Sequence, residues 1–300
     1  MRCGAGADPL ERLDLCDWSG AGSPQDRERA LAALERGKIV FLPHLLFELT
    51  AAERRFLDPR VSDGKAKNIS FDPRSGAIGG ASLAGGEREA LAALLRRFGG
   101  EAEALLCGLF PDYAAQLQTG RASLRPVSID RRHMSYRKDD TRLHVDAFPS
   151  KPVQGRRILR VFANVNTAGA ARVWRVGGPF ADYAGRLLPR QRLYPMPGAA
   201  VALARLGVTK GRRTAYDWLM LSLHDRAKGD AAYQQEGAIA ELRFPPGSSW
   251  IVYTDLVPHA AIAGQHALEQ TFYLPVAAMR DPELSPLRIL EGLTRRRLAG

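Results

Sequence analysis

His144-Val145-Asp146 sets an imidazole and a carboxylate two residues apart, and His259 follows far downstream in Val257-Pro258-His259-Ala260. On extended backbone, side chains alternate with period 2, so His144 and Asp146 point to the same side. A second imidazole brought beside them by folding completes a two-His, one-carboxylate face for a metal ion. That set leaves half an octahedron open, which suits non-haem Fe(II) that must also hold a cosubstrate and O2. The bland alternative is a pair of surface or core histidines bonded to their neighbours, because H-x-D is a short spelling that recurs by chance. The surrounding chain has to decide between the two.

An oxygenase needs more than metal ligands. A dicarboxylate such as 2-oxoglutarate chelates iron through its keto acid and requires a cation for its far carboxylate, for which the planar fork of Arg is suited. Arg125, Arg160 and Arg175 lie in strand-like segments among apolar neighbours. Inward-facing Arg is rare without a partner, and the alternative for each is a solvated strand face. Trp174 either walls such a pocket or belongs to the plain core. Many oxygenases of this type carry an Arg about where Gln270 stands, eleven positions after His259. The carboxylate anchor must therefore come from elsewhere, and Arg160 is favoured. Neither G-x-S-x-G nor H-E-x-x-H is present, and no G-x-G-x-x-G or P-loop follows a strand. His224-Asp225 reads as an exposed pair on a helix, and His133 and His266 have no motif around them.

The elements that must position these residues fall into two textures. Residues 1–23 show no periodicity and read as a loosely ordered lead-in. Ser23-Pro24-Gln25-Asp26 spells a helix start, Lys38 to Pro43 a short strand, and Thr50-Ala51-Ala52-Glu53 a capping box. Leucine and alanine then recur at helical spacing from Gly86 to Gln118, with a break expected at Gly99-Gly100. After Gly120 about seven or eight short strands appear, bracketing a helical insert over about 179–232. Ser285-Pro286 opens a last helix with a basic tail. This pattern predicts an α+β protein with a jelly-roll (double-stranded β-helix) core. One catalytic domain is expected over 24–300: helical at 24–118, core at 121–276, C-terminal helix at 285–297.

The chain has 300 residues, 45% hydrophobic and 25% charged, with a formal net charge of +11. That basicity asks for an anionic partner: nucleic acid, an anionic membrane face or a small acidic substrate. No basic stretch interleaved with aromatics and no zinc-finger or RNA-recognition signature occurs, so nucleic acid ranks last. Cys3, Cys16 and Cys107 are odd in number and outside any C-x-x-C spacing, as expected of incidental thiols in a reducing compartment. The start lacks an apolar signal core, and Gly198 to Leu206 is too short to span a bilayer. A cytoplasmic protein is expected. The last helix, with Leu287, Ile289, Leu290 and Leu293 before Arg295-Arg296-Arg297, has the make-up of one that rests on anionic lipid.

At Tyr136-Arg137-Lys138-Asp139-Asp140-Thr141-Arg142-Leu143-His144-Val145-Asp146-Ala147-Phe148-Pro149-Ser150 and Gly155-Arg156-Arg157-Ile158-Leu159-Arg160-Val161-Phe162, the chain resembles the bacterial Kdo hydroxylase family. The likeness continues in Tyr216-Asp217-Trp218-Leu219-Met220-Leu221, Leu223-His224-Asp225, Phe244-Pro245-Pro246-Gly247-Ser248-Ser249-Trp250 and Leu268-Glu269-Gln270-Thr271-Phe272-Tyr273-Leu274-Pro275. It covers about 38–292. The resemblance implies a jelly-roll dioxygenase that uses Fe(II), 2-oxoglutarate and O2, with ascorbate stimulating, to hydroxylate carbon 3 of 3-deoxy-D-manno-oct-2-ulosonic acid (Kdo) on lipid A. His144, Asp146 and His259 match the iron ligands. Arg125, Arg160, Trp174 and Gln270 are the candidates for cosubstrate binding. The resemblance also implies a peripheral place on the cytoplasmic face of the inner membrane, where Kdo carboxylates and lipid A phosphates would account for the basic charge. Two alternatives stay open: an oxygenase of another acidic sugar or small molecule, and a non-catalytic basic jelly roll that binds a polyanion.

Overall fold

The helix start at Ser23 forms as its spelling predicts. The Ser23 hydroxyl accepts from the Asp26 amide while the Asp26 carboxylate accepts from the Ser23 amide, and Pro24 opens helix α1, Pro24–Glu35. The computed structural model describes residues 8–20, 22–129, 135–188, 206–207 and 211–299. His133, Cys3 and most of Gly198 to Leu206 lie outside them, as do 189–205 and 208–210 of the helical insert.

The loose lead-in expected for 1–23 does not hold for residues 8–20. Strand β1, Leu10–Arg12, pairs in parallel with β2, Ile39–Leu42. Trp18 packs edge-on against Phe47 and Phe98 and donates its indole N–H to the Leu46 carbonyl. A large apolar ring with its polar atom satisfied is enough to tie down a segment without periodicity. Thr50 and Glu53 make the reciprocal bonds of a capping box, but only a 3-10 turn follows, Glu53–Leu57. Helix α2, Gly85–Leu109, runs through Gly99-Gly100 without the expected break. A Cβ on Gly99 would meet Gln270 Oε1 at 2.8 Å, so this glycine permits close contact with the sheet beneath and does not end the helix. Short α3, Pro111–Ala114, follows.

The remaining strands are β3 Ile69–Phe71, β4 Ile78–Gly79, β5 Gln118–Arg125, β6 Arg157–Asn164, β7 Arg172–Gly177, β8 Ala238–Phe244, β9 Ser249–Tyr253, β10 His259–Ala263 and β11 Ala267–Leu274. They build an eight-stranded sheet in the order β1-β2-β9-β6-β11-β5-β3-β4 and a three-stranded sheet in the order β10-β7-β8. Every pairing except β1–β2 is antiparallel. The sheets face each other across an aromatic core: Phe162 and Trp250 from the large sheet meet Trp174 and Phe244 from the small one. The other face of the large sheet is covered by α1 and α2. Strands β6 and β11 are therefore buried on both faces, and their sequences lose the alternation that marks a half-exposed strand.

Between β7 and β8 the insert contributes α4 Phe180–Leu187, α5 Ala215–Gly229 and α6 Ala231–Glu236; α7, Pro286–Thr294, closes the chain. Helix α7 buries Leu287 and Leu290 in the main core, so the apolar face that the sequence offered to lipid is largely taken up by the protein. No helix among the described residues is long and apolar enough to cross a membrane.

A fully buried ion pair locks the turn between β9 and β10. Arg157 Nε and Nη2 reach the Asp255 carboxylate at 2.8 and 3.2 Å, and the guanidinium lies 3.7 Å above the Tyr253 ring. Removing one partner strands the other charge in a dry core. Arg157→Ala should lower unfolding free energy by about 3–5 kcal/mol, measured by urea denaturation; a loss under about 1 kcal/mol, the worth of an exposed pair, would contradict this role.

Candidate active site

His144 and His259 are joined by a single antiparallel bridge. The His144 amide donates to the His259 carbonyl at 3.1 Å, and the His259 amide donates back at 2.8 Å. Two residues on, the Asp146 amide donates to the Thr254 carbonyl at 2.8 Å. The stretch around His144 is thus extended without being a full strand, and period 2 keeps Asp146 on the His144 side. The result is a His-Asp-His group whose ligand atoms all lie within 4.8 Å of one another.

The side chains are turned for metal binding. His144 Nδ1 faces the Arg142 carbonyl at 2.7 Å, and His259 Nδ1 faces the Val257 carbonyl at 2.9 Å. A carbonyl only accepts, so each Nδ1 carries the proton and each Nε2 keeps its lone pair. Burial, together with the neighbouring imidazole and Lys228, holds the His144 pKa well below its ordinary value. Burial also lowers that of His259, against the pull of Asp146. Both are neutral at neutral pH, the form that binds metal. Burial alone would raise the Asp146 pKa, but the Arg160 guanidinium holds it down as a carboxylate. Asp146 Oδ2 lies 3.0 Å from Arg160 Nη2 but makes no hydrogen bond. Two neutral imidazoles and an under-satisfied carboxylate oxygen fit an open Fe(II) site. Trp174 stacks on the His259 ring at 5.0 Å between centroids, and His224 meets His144 edge-on at 5.1 Å.

These groups line a cavity of about 300 Å³. One wall is an arginine–carboxylate network on the large sheet. Register explains it: Arg125 pairs with Ala267 and Arg160 with Thr271, so Glu269 stands between the two arginines on the same face. Glu269 takes Arg160 Nη1 at 2.8 Å and Arg125 Nη2 at 2.5 Å, and Arg125 also reaches Asp140 at 3.3 Å. Burial pushes the Glu269 pKa up, but the two guanidinium groups more than reverse it. Two buried donors beside the cavity, Arg160 Nε and Trp174 Nε1, have no hydrogen-bond partner among the described residues.

Of the residues predicted from sequence, His144, Asp146, His259, Arg125, Arg160 and Trp174 come together here. Gln270 does not. Being one residue past Glu269, it points through the opposite face of β11 towards α2, where its amide donates to the Gly120 and Thr271 carbonyls. Arg175 likewise points away, to the Gln234 carbonyl, whereas Arg172, two residues before Trp174, lines the cavity. Lys67, Asp140, Glu269 and Lys228 were also missed. His224, expected to be exposed, is largely buried against the cavity. Its helix turns His224 and Lys228 inward together, since residues four apart share a face.

Fold and site together define a non-haem Fe(II), 2-oxoglutarate-dependent dioxygenase. The sequence matches, over residues 17–297, the family described as 3-deoxy-D-manno-oct-2-ulosonic acid (Kdo) hydroxylase, and the chain belongs to that family. The match begins earlier than the likeness read from sequence and takes in the ordered Trp18 segment. Among solved structures it is similar to the Kdo hydroxylase KdoO, a non-haem Fe(II), α-ketoglutarate-dependent dioxygenase. The KdoO complex with α-ketoglutarate and Fe(III) has 44% identity and a TM-score of 0.93, over 97% of this chain and 98% of that one. The KdoO complex with cobalt(II) has 45% identity and a TM-score of 0.94, over 98% of each chain. The complex with succinate and Fe(III) has 44% identity and a TM-score of 0.93, over 98% of each. A comparison with curated protein sequences finds no match.

His259→Ala should weaken Co(II) binding by more than the ~10–100-fold that a lost outer contact costs, as read by competition with a chromophoric chelator. Wild-type affinity in that variant would exclude His259 as a ligand.

Proposed function

We propose that the protein hydroxylates carbon 3 of Kdo units carried on lipid A, with Fe(II) held by His144, Asp146 and His259 and with 2-oxoglutarate and O2 as cosubstrates. The observation that carries this reading is the His144–His259 bridge, which sets both imidazoles and Asp146 at one cavity beside buried arginines. Bound Fe(II), with 2-oxoglutarate and O2, supplies the oxidising power that exchanges a C–H bond for C–OH. The chain supplies orientation and charge. Arg125 and Arg160 receive the cosubstrate carboxylates, and the Arg160 Nε and Trp174 Nε1 donors complete that cradle. Glu269 holds both arginines in place, and Trp174 fixes the plane of the His259 ring. Phe148, Phe162 and Trp174 keep an apolar wall against bulk water. Ascorbate serves to keep the iron reduced.

We read the strand order β5-β11-β6-β9, opposed by the His144 segment, β10, β7 and β8, as a double-stranded β-helix, with residues 24–300 acting as one catalytic domain. The net charge of +11 suits a chain that works at an anionic cytoplasmic membrane face bearing acidic lipid-linked sugar.

Kdo-bearing lipid A incubated with enzyme, Fe(II), 2-oxoglutarate, O2 and ascorbate should gain one oxygen on the sugar by mass spectrometry. An unmodified sugar alongside tight, metal-independent binding would favour the polyanion-binding module instead. Within the same assay, Arg160→Ala should raise the KM for 2-oxoglutarate about 10–100-fold, the scale of a lost charge-assisted bond. Gln270→Ala should leave it within about 3-fold while costing about 1 kcal/mol of stability. The opposite ranking would put the cosubstrate on the other face of β11.

A further inference from the structure

Kdo places its carboxylate on the carbon next to the one oxidised, so a bound sugar must bring an anion close to the iron as well as a C–H bond. The large-sheet arginines are committed to Glu269, Asp140 and Asp146, and on the reading above they serve the cosubstrate. A second cationic locus borders the same cavity and belongs to neither sheet core. Lys228 comes from α5 in the insert, and Lys67 from the segment before β3.

Lys228 is an unusual lysine, with only 1% of its surface exposed. Its ammonium has three donors. One goes to the Arg137 carbonyl at 3.1 Å, and the Asp140 carboxylate stands 3.8 Å away, beyond hydrogen-bond reach. Lys67 pairs with that same Asp140 oxygen, and Arg125 takes the other one. One carboxylate thus serves three cations. Among the described residues, six cationic and three anionic side chains line the cavity, a surplus of three positive charges before any metal is counted. With Fe(II) bound the surplus is five, of which a dianionic cosubstrate and a monoanionic sugar offset three. Asn68, next to Lys67, adds a buried amide oxygen with no hydrogen-bond partner among the described residues, suited to accept from a sugar hydroxyl. On α5, His224 shares the Lys228 face and packs against the iron ligand His144, so the locus lies within one side chain of the metal face.

We propose that Lys228 and Lys67 form the subsite that receives the sugar carboxylate, placing the neighbouring methylene at the open face of the iron, so that the insert supplies substrate selection while the sheets supply the chemistry. This rests on the function proposed above. Burial keeps the Lys228 pKa down, so its charge is retained through Asp140 and is best used where an incoming anion compensates it.

The test compares wild type, Lys228→Met and Lys67→Gln as full-length Fe(II) enzymes, with Kdo-bearing lipid A in detergent micelles as substrate. Affinity for 2-oxoglutarate is read without O2, and kcat and KM for the lipid-linked sugar are read with it. The subsite requires KM for the sugar to rise about 30-fold in Lys228→Met and about 10-fold in Lys67→Gln, with kcat and 2-oxoglutarate affinity within about 3-fold of wild type. A purely structural Lys228 would instead lower 2-oxoglutarate affinity or kcat and leave KM for the sugar unchanged, which overturns the proposal. Should Lys228→Met fail to bind 2-oxoglutarate, the partly exposed Lys67→Gln decides, and a wild-type KM there overturns it too. A wild-type enzyme that leaves the sugar unmodified sinks the functional reading itself, a result distinguishable from normal turnover with unmoved variants.

Discussion

Two backbone hydrogen bonds between His144 and His259 hold together everything the site does. They join chain segments separated by the whole helical insert, and they set two imidazoles side by side without a continuous strand at His144. The second imidazole arrives from β10, whose start is fixed by the tight turn at Asp255. That turn is anchored by Arg157 from β6, so the metal face is referenced to the large sheet through a buried ion pair. The Arg142 and Val257 backbone carbonyls, each accepting from an Nδ1–H, then set the ring planes. Backbone pairing, a dry salt bridge and two tautomer-fixing bonds thus work in series, each constraining the next.

Shared carboxylates govern the cavity around that face. Glu269 serves Arg125 and Arg160, and Asp140 serves Arg125, Lys67 and Lys228. Sharing keeps buried cations from being left alone, which would be costly, yet leaves the cavity positive on balance. That excess positive charge suits anionic ligands in place of further acidic side chains. Preorganised cations of this kind favour acidic ligands at little reorganisation cost. They also account for basicity at the site itself.

Much of this was legible in the chain before folding. His144 and Asp146 were readable because period 2 puts both on one side whatever the wider fold, and Arg125 and Arg160 because charged groups stand out in apolar strands. Gln270 was named and its neighbour Glu269 missed because parity could not be read. Strand β11 is covered on both faces, so no alternation reveals which residues look into the cavity, and an error of one residue turns a side chain to the wrong face. The same ambiguity hid Arg172 behind Arg175, although its spacing of two from Trp174 was a usable signal. His224 and Lys228 were hidden for another reason: α5 is buried by neighbours that only the fold assembles, and its polar residues look solvated in isolation. The Trp18 segment was misread because one well-placed aromatic can order a stretch that has no pattern.

The central claim is that these three side chains make one iron site that receives 2-oxoglutarate. Anaerobic titration of the Fe(II) protein with 2-oxoglutarate tests it directly. The account predicts one iron per chain and a visible absorption change on adding 2-oxoglutarate, absent without iron and absent in His144→Ala. Iron retained at wild-type level in that variant, or 2-oxoglutarate bound equally well without metal, would contradict it.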